Sequence, residues 1–297
     1  MNVAKKMKKL FLHDHWQIGI ANKSGNDPVG NLMKDISKVR WHSNEKGHYS
    51  ADPFIIEENG KVYVFFEDFA YRDNEGCLAY VTFDGKKFGN KRLLWHVPFQ
   101  QSYPHIIAHA GDYYCLPEES ASEKLTLYKA MHFPDEWEKC KTLIDRPCVD
   151  ATVIHYEALW WLFCTMAGDR VNTDLHMFYA EDLLGPWHAH AANPVGSDPG
   201  SARPAGNLYT EDGVLYRPAQ NCAHTYGGGI VINRITELTP DRFAEEKMRE
   251  LRVPRGSYGA HTISTSENYI AIDIKKRASC KEVLNKYCAY IKYTVRR

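Results

Sequence analysis

The stretch Ala51 Asp52 Pro53 Phe54 Ile55 Ile56, followed after a turn by Lys61 Val62 Tyr63 Val64 Phe65 Phe66 Glu67, decides the fold because it recurs. It returns as Ser102 Tyr103 Pro104 His105 Ile106 Ile107, as Val149 Asp150 Ala151 Thr152 Val153 Ile154, as Ala202 Arg203 Pro204 Ala205 Gly206, and as Ala260 His261 Thr262 Ile263 Ser264. The second residues of successive copies lie 51, 47, 53 and 58 positions apart, the period of a repeat architecture. Each of the first four copies runs through a turn into an aromatic-rich strand, Lys61 to Phe66, Asp112 to Leu116, Leu159 to Phe163 and Val214 to Arg217, and so opens as a β-hairpin. Outer strands follow at Gly76 to Phe83, Leu125 to Ala130 and Leu175 to Ala180, closed by turn-rich pieces such as Phe133 Pro134 Asp135 Glu136 Trp137 and Gly185 Pro186 Trp187. Four strands per unit and five units predict an all-β, five-bladed β-propeller of four-stranded blades. A β-sandwich does not demand a fixed hairpin spacing.

The pattern assigns residues 1–15 to a flexible basic tail and 16–297 to one propeller domain. Ring closure is expected between a strand at Trp16 to Ile20 and one at Tyr287 to Thr294. One helical stripe competes with the strands, Asp241 to Glu250, whose Thr239 Pro240 start suits a short capped helix between blades.

Composition narrows the function. Of 297 residues, 44% are hydrophobic and 25% charged, with Lys plus Arg and Asp plus Glu at 37 each. That balance supplies no broad positive field for nucleic acid, so no nucleic-acid partner is expected. The basic run from Met1 to Lys9 leads into Leu10 Phe11 Leu12 His13 Asp14, too short and polar for a signal core, and no stretch approaches a membrane span. Weak contact of that run with an anionic membrane surface is its one membrane-related expectation. Eight cysteines without a C-x-x-C pair or a Cys/His ladder read as reduced thiols of a cytoplasmic protein, with no metal and no cofactor expected.

A second spacing points to the site. Asp52 to Glu67, Tyr103 to Glu118 and Asp150 to Thr165 are each 15 residues apart, and Arg203 to Gln220 spans 17. Antiparallel strands of equal length return to the same edge, so the first residue of one strand and the last of the next share a rim. With the first strands lining the axis, Asp52, Tyr103, Asp150, Arg203 and His261 converge at one funnel mouth, with Glu67, Glu118 and Gln220 beside them. Carboxylates gathered in a pocket have their pKa values split by mutual repulsion and by nearby Arg or His, as acid/base chemistry at a glycosidic oxygen requires. Asp52, Glu118, Asp150 and Glu67 are therefore the expected catalytic residues. Tyr103, Arg203, Gln220, Tyr226 and His261 are the expected substrate-binding residues, Tyr103 and Tyr226 offering faces to a sugar. The glycines of Tyr226 Gly227 Gly228 Gly229 suit a tight turn more than a phosphate cradle, lacking the strand and helix that such a loop joins.

Taken together, these motifs resemble the N-terminal propeller of plant glucosamine inositolphosphorylceramide transferase and its bacterial relatives, within the furanosidase superfamily that includes glycoside hydrolase family 43. The likeness covers roughly Ser50 to Glu246. It is carried by Ala51 Asp52 Pro53 Phe54 with Phe66 Glu67, Ser102 Tyr103 Pro104 with Pro117 Glu118, Val149 Asp150, Leu184 Gly185 Pro186 Trp187, Arg203 Pro204, and Leu215 Tyr216 Arg217 with Gln220, Cys222, Tyr226 and Gly227. The resemblance implies a five-bladed fold and a part in making or trimming a surface glycan or glycolipid. It also implies that Asp52 stands at the position of an axial base. Tyr103 stands where family 43 hydrolases have a second Asp, their Glu-Gly-Pro acid motif is missing, and Asn221 stands where nearer relatives tend to carry Asp. The expected activity is transfer or hydrolysis of a glycosyl unit, a furanosyl one by the resemblance, on a carbohydrate or activated-sugar substrate. The alternative is a glycan-binding or accessory propeller without turnover.

Overall fold

A computed structural model describes residues 14–25, 29–30, 32, 36–119, 122–251, 253 and 256–278. Strand β1 (Asp14–Asn22) and the short β2 (Arg40–Trp41) come first and belong to the last blade. Blade one comprises β3 (His48–Glu58), β4 (Lys61–Ala70), β5 (Glu75–Phe83) and β6 (Arg92–Leu93). Blade two is β7 (Gln101–His109), β8 (Asp112–Glu119), β9 (Leu125–His132) and β10 (Glu136–Ile144). In blade three, β11 (Cys148–Tyr156), β12 (Leu159–Met166), β13 (Asp174–Ala180) and β14 (His188–Ala189) are joined by β15 (Gly196–Ser197), which also pairs with β13. Blade four runs β16 (Tyr209–Glu211), β17 (Val214–Gln220), β18 (Ile230–Leu238) and β19 (Phe243–Leu251). Blade five takes β20 (Ile263–Thr265) and β21 (Tyr269–Arg277) from the far end of the chain and β1 and β2 from the near end. The protein is an all-β, five-bladed propeller.

Strand β4 shows why the second strand of a blade reads as an unbroken apolar run instead of an alternation. Val62, Val64 and Phe66 pack toward blade five, against Ile18, Ile20 and Ala271. Tyr63 and Phe65 pack toward blade two, against Ile106, Cys115 and Tyr128. Successive side chains point to opposite faces of a strand, and here both faces meet a neighbouring sheet.

Ring closure joins Trp16 to Ile20 to a different partner from the one expected. All nine residues of β1 pair antiparallel with β21, from Asp14↔Arg277 to Asn22↔Tyr269. The closing strand is thus the return arm of the last hairpin, with Ile270, Ile272 and Ile274 buried. Tyr287 to Thr294, like residues 1–13, lie outside the described residues. Strand β1 begins at Asp14, two residues before the tail boundary drawn from sequence.

The expected helix at Asp241 to Glu250 is a strand. Thr239 and Arg242 close a tight turn, and β19 then pairs along β18. An outermost strand has one dry face at most, so its polar run Ala244 Glu245 Glu246 Lys247 Met248 Arg249 Glu250 carries helix-forming residues for solvation, and pairing overrides their propensity. Glu246 sits opposite Arg234 in register and binds it at 2.6 Å.

Two internal features carry measurable stability. Arg217 in β17 is fully buried, bound to Glu245 at 2.5 and 2.8 Å and donating to the carbonyls of Ser201 at 2.6 Å and Ala202 at 3.3 Å. Arg217→Ala leaves these acceptors unpaired in the interior, and chemical denaturation should report a loss of about 3–5 kcal/mol. Gly206 adopts φ +108°, and a Cβ there would collide with the Ile263 carbonyl oxygen. Gly206→Ala is expected to cost at least ~2 kcal/mol, read as a lowered thermal midpoint, since strain and collision add.

Candidate functional site

The inner strands of blades one to three share one irregularity. The pairs Ala51↔Glu67, Ser102↔Glu118 and Val149↔Thr165 are in register, and so are Phe54↔Phe65, His105↔Leu116 and Thr152↔Phe163. Between them two residues of the inner strand oppose one of its partner, which is a β-bulge. Its first residue, Asp52, Tyr103 or Asp150, has φ +54°, +50° or +50°. None is glycine, so each holds a left-handed conformation that costs energy, a feature that concentrates at functional sites. The bulge takes this residue out of the strand's alternation. Pro53 and Pro104 are tolerated because the inner strand is an edge that faces the axis.

The freed N–H groups of the bulges are caught by carboxylates of neighbouring segments. Asp52 N donates to Asp273 Oδ2 at 3.1 Å, Tyr103 N to Asp52 Oδ2 at 3.3 Å, and Asp150 N to Glu118 Oε2 at 3.3 Å. Asp52 Oδ1 accepts from Thr262 Oγ1 at 2.7 Å and lies 3.5 Å from His261 Nε2. Asp150 Oδ2 holds Arg203 Nε at 2.5 Å and Gln220 Nε2 at 2.7 Å, while Arg203 reaches Asn172 Oδ1 at 3.0 Å and lies 4.8 Å from the Tyr226 ring centre. Glu67 accepts from Gln100 Nε2 at 3.2 Å and lies over Gly76, where a Cβ would strike its carboxyl.

The structure therefore gathers Asp52, Glu67, Glu118, Asp150, Arg203, Gln220 and His261 around one end of the axis, and Tyr226 joins them at the mouth with 38% of its surface exposed. Tyr103 is the exception. Its backbone N–H faces Asp52, but its ring is fully buried and its hydroxyl is occupied by Thr152 Oγ1 at 2.8 Å and Gly206 N at 2.6 Å. Sequence reasoning missed Thr262 and Asp273. The signal for Asp273 was present: a carboxylate between Ile272 and Ile274 in a strand buried on both sides has to be there for its partners.

Electrostatics separates the carboxyls. Burial pushes Asp52 up to about 6; His261 pulls it down, while Asp150 and Asp273 push it further up. Burial and then Asp150 raise Glu118 to about 8, Arg203 opposing. Burial, then Asp52 and Glu118, hold Glu67 well above the usual carboxylate range. Asp52 is thus the readier of the two to ionise, and Glu118 the readier to keep its proton. One anion and one proton donor in one funnel can carry out acid/base chemistry on a bound hydroxyl or glycosidic oxygen.

Asp52, His261 and Asp273 also offer ligand atoms within 4.8 Å of one another, a spacing fit for a small cation. Asp273 already accepts from His261 N at 2.8 Å and Thr262 N at 3.0 Å on Oδ1, and from Asp52 N on Oδ2. Its lone pairs are committed to N–H groups, so the cluster is built as a hydrogen-bond hub.

Among solved structures, the fold is similar to a family 117 glycoside hydrolase produced by the marine bacterium Zobellia galactanivorans, with a TM-score of 0.55 and 13% identity over 89% of this chain and 91% of that one. It is also similar to an arabinanase of Bacillus subtilis, with a TM-score of 0.56 and 14% identity over 78% of this chain and 95% of that one. In sequence, glucosamine inositolphosphorylceramide transferase 1 of Oryza sativa subsp. japonica is 32% identical over 205 residues, 67% of this chain and 28% of the relative. The Arabidopsis thaliana protein of the same name is 30% identical over 244 residues, 78% of this chain and 31% of the relative. The chain thus spans about a third of the length of these relatives. The family model of the N-terminal region of glucosamine inositolphosphorylceramide transferase 1 matches residues 13–281. The chain belongs to that family.

Proposed function

We propose that this propeller is a carbohydrate-active enzyme that transfers a glycosyl unit, a furanosyl one by the fold's affinities, to an acceptor hydroxyl in the building of a surface glycan or glycolipid. The observation that carries this reading is geometric: the Asp52 and Glu118 carboxyls each hold the left-handed bulge of a neighbouring blade at one end of the axis, and burial raises both, Glu118 further than Asp52. Asp52 acts as base toward the acceptor hydroxyl, or as nucleophile at the anomeric carbon, and Glu118 protonates the leaving oxygen. Arg203 and Gln220 hold Asp150 in place, and Glu118 takes the Asp150 N–H. Tyr226 stands partly exposed at the mouth with Arg203 against one face of its ring, which leaves the other side for a sugar.

Two lesser points support the setting. Relatives that carry the name glucosamine inositolphosphorylceramide transferase 1 support a reading of sugar transfer to a lipid-linked acceptor. The described cysteines are free, which suits a reducing compartment such as the cytoplasm. Among the described residues no helix is long and apolar enough to cross a membrane.

A glycan-binding module without turnover is the second reading, favoured by the length of the relatives, whose remaining two thirds have room for transfer chemistry of their own. One experiment separates the two. The full chain is incubated with activated sugars and candidate acceptors, and products are followed by mass spectrometry. The enzyme reading expects a mass increase on an acceptor or release of free sugar. Retention of glycans on immobilised protein with no product in any combination supports the binding module.

A further inference from the structure

His261 was expected to meet substrate, yet its surroundings are closed on every side. Its ring stacks on Trp16 of β1 at 3.8 Å and 12°. Across from it, a Cβ on Gly227 would come within 3.1 Å of His261 Cβ and 2.7 Å of the Trp16 ring, so the loop leaves no slack. Nε2 faces Asp52 Oδ1 at 3.5 Å. Nδ1 lies 2.5 Å from Asp273 Oδ2, an ion-pair contact rather than a well-aligned hydrogen bond. Asp273 has no exposed surface and also takes the backbone N–H groups of His261, Thr262 and Asp52, so one carboxylate holds the backbone at both His261 and Asp52 while the two ring nitrogens face Asp273 and Asp52.

We propose that Asp273 and His261 are a positioning pair for Asp52, Asp273 fixing the imidazole and the imidazole fixing the Asp52 carboxylate. This rests on the reading of Asp52 as the reactive carboxylate. The pair works in two ways. Asp273 receives the bulge N–H of Asp52 and so secures the left-handed turn that presents the side chain. His261 places positive charge against Asp52 and favours its ionised form. Burial opposes that charge, but Asp273 and then Asp52 outweigh it and raise His261 above its ordinary value. The other charged or titratable groups facing this cluster are Tyr49 of β3, Glu67 of β4, Tyr103 of β7, Glu118 of β8, Asp150 of β11, Tyr226 from the glycine loop, with its ring 5.5 Å from that of His261, and Lys275 of β21, 5.3 Å from the Trp16 ring. A neutral imidazole could serve a substrate hydroxyl, whereas an imidazolium clamped between two carboxylates is committed to them.

The sign of the expected shift follows from which influence on Asp52 is larger. Asp273→Asn removes a like charge, which by itself lowers the Asp52 pKa. It also lets His261 lose its proton, which raises it, and His261 is the stronger of the two influences. The acid limb of the pH profile of kcat/KM should therefore move upward by about half a unit or more, with kcat lowered and KM within about threefold. His261→Gln leaves the N–H acceptors of Asp273 in place and should move the limb the same way, which keeps the test valid if Asp273→Asn fails to fold.

A second readout needs no turnover. In full-length protein carrying 15N-histidine, with His261 assigned by its loss in His261→Gln, the ring should titrate with a midpoint above that of the chain's exposed histidines, such as His132. In Asp273→Asn the midpoint should fall by about one unit or more. A His261 midpoint at or below that of an exposed histidine, a midpoint unmoved in Asp273→Asn, or an acid limb unmoved in both variants overturns the positioning pair. Failure of the underlying reading looks different. If Asp52→Asn keeps wild-type turnover, Asp52 is not the reactive carboxylate, and the pair has nothing to position.

Discussion

Asp52→Asn should abolish product formation, by about 10²–10⁴-fold at least, while leaving the fold as stable as before or more so. Asn is isosteric, and its Oδ1 can still accept from Thr262 or from the N–H of Tyr103. What disappears is the charge. In the wild-type chain that charge sits among Asp150 and Asp273, is almost fully buried, and is held on a residue with φ +54°. A carboxylate whose pKa is raised in the folded state destabilises that state as pH rises, because the folded protein then binds more protons than the unfolded chain. Removing it lifts that burden, and His261 retains Asp273 as its partner. Mass spectrometry of products and a thermal melt of the same preparation test both halves. A variant that melts lower yet keeps its turnover would make Asp52 a structural anchor of the bulge and not the centre of the chemistry.

How much of this was legible in the sequence differs between repeat and detail. The five inner segments were readable because each blade repeats one hairpin, and the 15-residue spacing is the observed register, with Ala51↔Glu67, Ser102↔Glu118 and Val149↔Thr165 in equivalent places. That Asp52, Glu67, Glu118 and Asp150 lie near one another was readable for the same reason. Position in the repeat fixes nearness to the axis, but it does not fix where a side chain points. Tyr103 has the phase of Asp52 and Asp150 and the same left-handed backbone, yet its ring turns into the packing between blades and binds Thr152 and Gly206. A large apolar ring gains from burial what a carboxylate would lose, so one backbone geometry yields opposite placements.

Two elements were hidden because local pattern and long-range pairing disagreed. The polar stretch in β19 carries good helix formers, and only its alignment along β18 makes it a strand. Closure by β21 was obscured because Tyr269 to Arg277 serves two partners, β20 on one side and β1 on the other. Asp273 was overlooked with it. In an isolated strand it reads as one polar residue among isoleucines, and its purpose emerges only when blade one brings the Asp52 N–H to it, 221 positions away in the chain.

The pH dependence of the reaction should be bell-shaped. Activity needs Asp52 ionised and Glu118 protonated. It should fall below pH about 6 as Asp52 gains a proton, and above pH about 8 as Glu118 loses one. Glu118→Gln removes the proton donor, so turnover of a donor with a poor leaving group should drop by about 10²–10⁴-fold and the alkaline limb should vanish. A donor whose leaving group is itself acidic, such as a nitrophenolate, needs no proton and should recover most of its rate in Glu118→Gln. It should recover nothing in Asp52→Asn, which still lacks the group that attacks or activates. The same comparison tests Glu67, whose carboxyl is also raised well above the usual carboxylate range but is more deeply buried, behind Gln100 and Gly76. If Glu67→Gln, and not Glu118→Gln, is the variant rescued by the acidic leaving group, the acid is Glu67, and the partly exposed Glu118 serves to hold the Asp150 bulge. Leaving-group dependence decides between them because proton donation is the one role that an acidic leaving group makes unnecessary.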